Sequence, residues 1–536
     1  MKKFTIYIAV AAASLTLSSC EKQLDKWLDK SPFTEYDAKD VTTPEGIEGL
    51  LRGVYNNFQA SGYYGMNLYC YEMSKGIDFF VRESSGGSFE RECRYSESLS
   101  SPGSASGTWL QIYTAIRTAT DLISKVPQVE GLDPESRDRI LGEAHGLRGL
   151  AYFDLMRLFA WMPRFSIPGH QQHEEQYKWG VPILDDPDMA QHPDRYDLVR
   201  QTADSTYRYI RKEFELAHTL LNGKETGNGH INFTAVCGLM ARMYLYLEDW
   251  DNAILYGEEA LESAGKKYSL LSYDSYISNY WQSFNSESIW ELAYSSTDNL
   301  GSGSINYVAR KETYNIPGSD LDGTVSNMAG YAAFGLFSDA QKALKNTVNG
   351  VDDVRGYLVC ELGVPTNPDY KGCRRYIGTP YHWVYNVPVI RLPEIMLTVA
   401  EAYLHKYDKT SAAKYYIPLR QARVQDGSGF GSADAEAALG QVLAERRREL
   451  IMEGHTYWDY FRRGATMTRP ENLENVRRKT VRFGIDGTSY GRPQVIYPIP
   501  LGEMEANKAM RKQQSPGYGT YDDYYKSQQE SDEITS

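Results

Sequence analysis

The chain contains few cysteines, and their spacing matches no familiar framework. There are 6 among 536 residues. Apart from Cys20 near the amino terminus, they are Cys70, Cys93, Cys237, Cys360 and Cys373. Five cysteines cannot all pair and no C-x-x-C motif occurs, so we expect no disulfide framework, no metal site and no cofactor. For Cys360 and Cys373, a single bridge and two buried thiols both remain open.

Positive charge is also scarce. Lysine and arginine number 57 against 70 acidic residues, and the formal net charge is −13. An acidic protein gains nothing from counterion release on a phosphate backbone, and it is repelled by anionic lipid. The balance argues against a nucleic-acid partner and against electrostatic attachment to a membrane.

Motifs of the common enzyme classes are missing as well. No G-x-S-x-G, H-E-x-x-H, phosphate-binding loop or dinucleotide fingerprint stands in a supporting context. His170, His173 and Glu174 lie close together, but in a loop that gives them no fixed spacing. We therefore predict a protein that is not an enzyme. A surface glycoside hydrolase stays open as a weaker alternative, since such an enzyme needs only two carboxylates.

The amino terminus has the pattern of a lipoprotein signal. Lys2 and Lys3 precede an apolar run from Phe4 to Leu17, which is too short to span a bilayer, and Leu17-Ser18-Ser19-Cys20 follows. We predict a signal peptide over 1–19, lipidation of Cys20 as the first mature residue, and a polar tether over 20–40. Several acyl chains on Cys20 would give stable membrane anchoring.

Helical periodicity dominates the rest of the chain. Apolar residues recur at helical spacing from Glu45, from Trp109 to Val126 and from Pro134 to Phe159. Two short copies of one pattern, around Ala241 to Ala253 and Ala400 to Ala412, resemble a tetratricopeptide repeat. The predicted fold is mostly α, a tetratricopeptide-like helical scaffold with an irregular loop-rich lobe.

Two stretches interrupt this periodicity and divide the chain. We predict a first helical region over 41–267 with a long loop at 61–106, an irregular lobe over 268–389, and a second helical region with a closing tail over 390–536. Both irregular stretches are rich in glycine, serine and tyrosine. Irregular segments of such length in a compact domain are usually functional or disordered.

Tyrosine is abundant, at 42 residues. Two interpretations are open: tyrosines on a surface that binds an amphipathic ligand, or tyrosines packed in a helical core. A sugar offers an apolar C–H face for stacking and hydroxyls for hydrogen bonds, so we sought aromatic and polar residues together in the irregular stretches. The candidate ligand-binding residues are Tyr63, Tyr64, Asn67, Asp78, Arg91, Tyr280, Trp281, Asn285, Tyr307 and Tyr314. The same stretches also hold Arg82, Tyr276 and Tyr331.

A charged and aromatic stretch near the carboxyl terminus, AERRRELIMEGHTYWDYFRRG over 444–464, is the most distinctive motif. Its helix should end at Gly454, and we expect Arg447 or Arg448 to pair with Glu449 or Glu453 partly inside the fold. It resembles the signature of the SusD/RagB family, the surface glycan-binding lipoproteins of gut Bacteroidetes. The matching positions are Glu445, Arg446, Arg447, Glu449, Leu450, Glu453, Gly454, His455, Trp458, Asp459, Arg462 and Arg463.

Other segments resemble the same family in the same order. They are GEAHGLRGLAYFDLMR within 142–157, GVPI at 180–183, and YPIP at 497–500 with QSPGY at 514–518. Glu21 and Asp25, just after Cys20, resemble the acidic lipoprotein export signal of Bacteroidetes, which implies the outer face of the outer membrane. The resemblance therefore covers almost the whole mature chain.

The resemblance implies a function and a partner. It implies non-catalytic binding of an oligosaccharide or polysaccharide at the cell surface, and delivery to a TonB-dependent transporter of the SusC type. Lipid on Cys20 would hold the protein at the membrane. A helical-repeat lipoprotein that binds peptide or protein in a nutrient uptake system remains the main alternative.

Overall fold

The computed structural model describes residues 42–82, 89–265, 267–309, 331–361, 370–376, 384–469, 480–481, 494–524 and 526. The expected signal peptide, Cys20 and the whole tether lie outside these ranges and stay predictions. Within the described ranges, no helix combines the length and the apolar character needed to cross a bilayer.

Helices make up most of the described chain. The α-helices of the first half are α1 (Pro44–Gln59), α2 (Asn67–Lys75), α3 (Glu90–Arg94), α4 (Ala105–Lys125), α5 (Pro134–Phe159), α6 (Pro163–Ser166), α7 (Pro187–Gln191), α8 (Ala203–Leu221), α9 (Phe233–Tyr246) and α10 (Trp250–Ala264). Those of the second half are α11 (Tyr273–Asn279), α12 (Ile305–Ala309), α13 (Ser338–Leu344), α14 (Leu392–His405), α15 (Lys409–Val424), α16 (Ala435–Glu449), α17 (Thr456–Arg462) and α18 (Leu501–Ala506). The prediction of a mostly helical fold is confirmed.

The strands are short and form antiparallel pairs. They are β1 (Phe79–Val81), β2 (Ser288–Leu292), β3 (Phe334–Leu336), β4 (Thr347–Val348), β5 (Val351–Asp352), β6 (Val359–Glu361), β7 (Lys371–Cys373), β8 (Val387–Arg391), β9 (Met467–Thr468) and β10 (Thr480–Val481). The pairs are β1 with β3, β2 with β8, β4 with β5, β6 with β7, and β9 with β10. The pairing of β2 with β8, which buries Trp290, ties the loop-rich lobe to the helical scaffold.

Helix α5 is the central element of the scaffold and spans the predicted residues. Asp133 caps its amino terminus by accepting a hydrogen bond from the amide of Ser136 at 2.9 Å, and Pro134 occupies its first position. From Gly142 onward every residue of the helix is buried, because α4 packs on one side and α8 on another. A helix covered on all sides needs no exposed polar face, and the charged residues of this part are buried as well.

Two helical hairpins pack side by side although they lie far apart in sequence. The first is α9 with α10 and the second is α14 with α15. At Gly257 a Cβ atom would lie 2.4 Å from Val399 Cγ2, so only glycine permits this approach of α10 to α14. The hydroxyls of Tyr403 and Tyr415 both donate to Glu258 at 2.7 Å. The tetratricopeptide-like character of the hairpins stays a prediction.

The stretch 61–106, expected to be a long loop, contains regular structure. Helix α2, strand β1 and helix α3 all fall within it. Residues 68–75 of α2 are buried, and the hydroxyl of Tyr71 donates to the carbonyl of Val495 at 2.8 Å. Helix α2 is covered by the carboxyl-terminal part of the chain, so its sequence shows no amphipathic period.

A buried ion network surrounds α16, with partners that differ from those expected. Glu449 lies 2.9 Å from Arg423, 3.1 Å from Arg355 and 3.2 Å from Arg391. The expected pairing of Arg447 or Arg448 with Glu449 or Glu453 is wrong. Arg447 instead bonds Asp78, and Arg448 bonds Glu445. Asp78 comes from a distant segment, which helical spacing does not identify, whereas Glu445 lies three residues before Arg448 on the same helix.

Helix α16 ends earlier than predicted. Its last residue is Glu449, whereas Gly454 lies in the turn that follows. Gly454 does have a left-handed backbone with φ of 73°, as a turn glycine requires. The glycine therefore reverses the chain between α16 and α17 and does not cap the helix.

The cysteines of the described chain form no disulfide. Cys360 and Cys373 lie on the paired strands β6 and β7 and are not bridged. Burial raises the pKa of the Cys373 thiol to about 12, which keeps it protonated near neutral pH.

Candidate functional site

The two irregular stretches of the sequence meet on one face of the molecule. The turn after α1, residues 60–66, contacts the segment 301–309 of the loop-rich lobe. The amide of Ile305 donates to the carbonyl of Gly65 at 2.7 Å. Antiparallel pairing of β1 with β3 joins the same two parts of the chain again. The structure therefore brings together the regions in which the sequence predicted a binding site.

A pair of tyrosine rings lies beside this junction. Tyr331 is 53% exposed, and the half-buried Tyr307 meets it edge to face, with ring centroids 5.0 Å apart. The amide of Tyr331 donates to the carbonyl of Tyr307 at 3.1 Å, and the guanidinium of Arg82 donates to the carbonyl of Tyr331 at 3.0 Å. These bonds hold the backbone beneath the exposed ring. We call Tyr307 and Tyr331 the tyrosine patch.

A polar groove runs from the same turn along the exposed side of α1. Its cavity volume is about 710 Å³, and we call it the seam groove because it separates α1 from the loop-rich lobe. Amide side chains are its main polar lining: Asn56, Asn57, Gln59, Gln111 and Asn228. Arg52, His230 and Asp298 add charged or titratable groups. Amides both donate and accept hydrogen bonds, as binding of sugar hydroxyls requires.

Helix α1 is oriented by its apolar period. Ile47, Leu51, Val54 and Phe58 are fully buried, and they recur at helical spacing. Arg52 and Asn56 are one turn apart on the opposite, exposed side. Burial of the apolar stripe therefore turns the polar strip of α1 into the wall of the seam groove.

A buried carboxylate positions the histidine of the groove wall. Glu143 Oε2 lies 2.6 Å from both the Tyr55 hydroxyl and His230 Nδ1, and Glu143 Oε1 accepts from Arg139 at 2.7 Å. Burial, together with the Glu143 charge, raises the pKa of Tyr55 well above its ordinary value, so the phenol remains a donor. His230 keeps 28% of its side chain exposed. It thus presents its second ring nitrogen in a fixed orientation.

A second, smaller cavity extends the seam groove. Its volume is about 210 Å³, and it shares Asn228, Gly229 and His230 with the groove. Phe284, which is 41% exposed, and Asn285 lie in its lining. The polar surface therefore continues past His230 to another exposed aromatic ring.

Four of the sequence candidates are core residues. Tyr63 is fully buried and donates to Asp154 at 2.6 Å, and Tyr64 packs against it with ring centroids 4.7 Å apart. Asp78 is buried in its ion pair with Arg447. Tyr280 is 2% exposed. Long-range packing covers all four residues, so none of them offers a face or a free edge to a ligand. We therefore exclude them from the proposed binding site.

The remaining candidates differ in exposure and in their distance from the site. Asn67 is half-buried and donates to Thr108, and Arg91 is exposed on α3. Trp281 is half-buried against the core. Asn285 lines the second cavity and Tyr307 belongs to the tyrosine patch. Tyr314 lies outside the described residues, so its place in the site stays a prediction.

The amides of the seam groove were missed by sequence reasoning. Asn56, Asn57, Gln59 and Gln111 lie on helices, whereas the predicted binding residues come from the irregular stretches of the sequence. A signal did exist, since α1 carries three amides in its last turn opposite a strong apolar stripe. A solvated helix face carries similar residues, so this pattern alone does not indicate a ligand.

Comparison with protein families finds matches to two models. Residues 374–518 match the model described as "SusD family", and residues 26–245 match the model described as "Starch-binding associating with outer membrane". The two matches cover different parts of the chain. Together they include the segments 142–157, 180–183, 444–464, 497–500 and 514–518, which resemble the family in sequence.

Individual proteins show the same similarity over most of their length. A SusD-like protein of Bacteroides ovatus is 22% identical over 493 residues, covering 84% of this chain and 81% of that protein. A SusD superfamily protein of Bacteroides thetaiotaomicron is 26% identical, with a TM-score of 0.74 over 88% of this chain and 100% of that one. A laminarin-binding SusD-like protein is 20% identical, with a TM-score of 0.66 over 89% and 100%.

Proposed function

Because the chain belongs to the SusD/RagB family, we propose that it binds oligosaccharide or polysaccharide at the outer membrane and does not transform it. One family model is described as starch-binding and associating with the outer membrane, and one structural relative is described as laminarin-binding. Starch and laminarin are both glucans, so a neutral glucan is the first ligand class to test.

The observation that carries the proposal is the position of the tyrosine patch beside the seam groove. The turn 60–66 separates them: Ala60 lines the groove, and Gly65 bonds the segment that carries Tyr307. An exposed ring provides a stacking surface for the apolar face of a sugar. The neighbouring amides suit its hydroxyl rim, so one chain of sugar rings would use both.

The carboxylates near the groove support binding without hydrolysis. Glycosidases hold two carboxyl groups on either side of the scissile bond. Asp298 lines the seam groove and is exposed, whereas Glu143 beneath it is engaged by Tyr55, His230 and Arg139. Glu291, in the second cavity, is buried and accepts from Asn386 at 2.9 Å. Each of the two buried carboxylates already serves a structural role.

Calorimetric titration of the mature chain without its lipid tests this proposal. The ligands are starch and laminarin oligosaccharides, other plant, host and microbial glycans, and a peptide pool. Tyr331→Ala should weaken binding of the recognised glycan by about 1–2 kcal/mol, roughly five- to thirtyfold, through loss of stacking. Asn56→Ala should also weaken binding, by the loss of a hydrogen bond.

Tyr407→Ala is the matched control. Tyr407 follows α14 and is 85% exposed. Its substitution therefore removes an exposed aromatic ring that belongs to neither the tyrosine patch nor the seam groove. Equal losses for Tyr331→Ala and Tyr407→Ala would contradict the proposed site. Heat with the peptide pool alone would favour the peptide-binding alternative, and release of shorter sugars would favour a hydrolase.

We also propose a partner and an anchor. A TonB-dependent transporter of the SusC type would receive the ligand, and lipid on Cys20 would hold the protein beside it at the cell surface. Both proposals rest on the family resemblance and on the amino-terminal sequence pattern.

A further inference from the structure

Three metal-binding side chains converge where helices α8, α9 and α10 meet. His218 lies near the end of α8, Cys237 in the first turns of α9, and Glu259 in α10. One ligand atom of each, a ring nitrogen, the thiol sulfur and a carboxylate oxygen, lies within 4.8 Å of the other two. The distance from His218 Nε2 to Glu259 Oε2 is 2.9 Å. The grouping is independent of the tyrosine patch and the seam groove.

The surroundings combine a buried sulfur with two accessible ligands. Cys237 is fully buried, whereas the side chains of His218 and Glu259 are 24% and 36% exposed. The imidazole packs against Phe233, with ring centroids 4.9 Å apart, and against the edge of Tyr256 at 5.7 Å. The aromatic rings limit the orientations of the histidine, and the exposed side leaves an entry path from solvent.

We propose that His218, Cys237 and Glu259 bind one Zn²⁺ ion, with water as the fourth ligand. Zinc takes sulfur at about 2.3 Å and nitrogen or oxygen at about 2.0–2.2 Å in tetrahedral geometry. Ligand atoms then lie about 3.3–3.7 Å apart. The present separations reach this range with side-chain shifts of about 1 Å. As the Zn–S bond forms, the Cys237 thiol releases its proton to solvent.

The ligand set selects among metals. Calcium and magnesium take oxygen ligands, and this site offers one carboxylate beside a sulfur and a nitrogen. Thiolate and imidazole favour zinc and neighbouring transition metals. Since each ligand comes from a different helix, the ion would cross-link α8 to the hairpin of α9 and α10 and stabilise it.

Metal titration of the purified mature chain, freed of metal with a chelator, tests the proposal. Equilibrium dialysis with Zn²⁺ should show one tightly bound ion per chain, and Ca²⁺ should not compete. Co²⁺, used as a spectroscopic substitute, should give a thiolate-to-metal charge-transfer band. Zn²⁺ should raise the melting temperature of the wild-type chain.

Cys237→Ser and His218→Ala should each weaken Zn²⁺ binding by more than about a hundredfold, because even the loss of a group that only supports a ligand costs about 10- to 100-fold. Glu262→Gln is the control, because Glu262 is exposed three residues further along α10. Circular dichroism would verify that each variant folds. If Cys237→Ser does not fold, Glu259→Gln is the alternative variant, because the Glu259 side chain is partly exposed. Zinc binding that survives these substitutions, or a cobalt complex without the thiolate band, would overturn the assignment.

Discussion

At the scale of single residues, burial changes the chemistry of several acidic groups. Glu72 on α2 is 3% exposed, and its carboxylate accepts a hydrogen bond from the amide of Tyr457 at 3.0 Å. Burial raises the pKa of Glu72 from 4.5 to about 8, despite that hydrogen bond. Near neutral pH the folded chain therefore holds a proton at Glu72 that the unfolded chain has released.

This shift predicts a loss of stability with rising pH. The contribution of Glu72 is complete below about pH 4.5 and is lost as pH rises through about 8, by at most about 5 kcal/mol. Glu72→Gln keeps an acceptor for Tyr457 but does not ionise. Urea unfolding should show the variant gaining stability over the wild type between about pH 5 and about pH 9.

Glu130→Gln is the control for this prediction, because Glu130 is exposed. Its stability should follow that of the wild type at each pH. A stability difference between Glu72→Gln and wild type that stays constant with pH would contradict the raised pKa.

At the scale of elements, α16 is held by charge as well as by apolar contact. Glu449, its last residue, is fully buried among Arg355, Arg391 and Arg423. Burial alone would raise its pKa, but the charges of Arg423 and Arg391 hold the pKa well below its usual range. The carboxylate therefore joins α16 to β8, to α15 and to the loop-rich lobe.

Removal of this charge should be costly. Glu449→Gln leaves arginines buried without their counter-charge, and a loss of about 3–5 kcal/mol in the free energy of unfolding is expected. Asp204→Asn makes the same chemical change in an exposed pair with Arg208, where the loss should be below about 1 kcal/mol. Chemical denaturation of both variants measures the difference. Similar losses would mean that the buried network adds little stability.

At the scale of the whole molecule, the described chain is a helical body with its candidate site along one junction. Beta pairs join the loop-rich lobe to both helical regions: β1 with β3, and β2 with β8. The seam groove lies between the lobe and α1, and the tyrosine patch lies on the lobe segment that bonds the turn after α1. The proposed membrane anchor, Cys20, lies outside the described ranges.

Cys20→Ala should release the whole protein from the membrane fraction. Without a thiol at this position no acyl chain can be attached, and the formal net charge of −13 disfavours binding to anionic lipid. Fractionation of cells that express the variant tests the lipid anchor. Affinity capture of an outer-membrane transporter with the wild-type protein tests the proposed partner. Ser19→Ala keeps a small residue before the cysteine and should remain bound. A Cys20→Ala protein that stays in the membrane fraction would refute the lipid anchor.

Part of the candidate site was predictable from sequence. The two irregular stretches do meet, and Tyr307 and Asn285 lie at accessible positions. Tyr63 and Tyr280 come from the same stretches but are buried. The metal ligands at His218, Cys237 and Glu259 share no local motif, because each belongs to a different helix.

The sequence by itself determined the long amphipathic helices of the scaffold, the acidic balance and the family resemblance, since these depend on local periodicity, composition and short motifs. Helix α5, for example, spans the residues Pro134–Phe159 that its helical periodicity predicts. Only the tertiary structure decided which tyrosines are exposed and which charges pair. Asp154, the partner of Tyr63, is 91 residues away, and Asp78, the partner of Arg447, is 369 residues away. A tyrosine satisfies its hydroxyl equally well in a core or at a surface, so long-range packing sets its role.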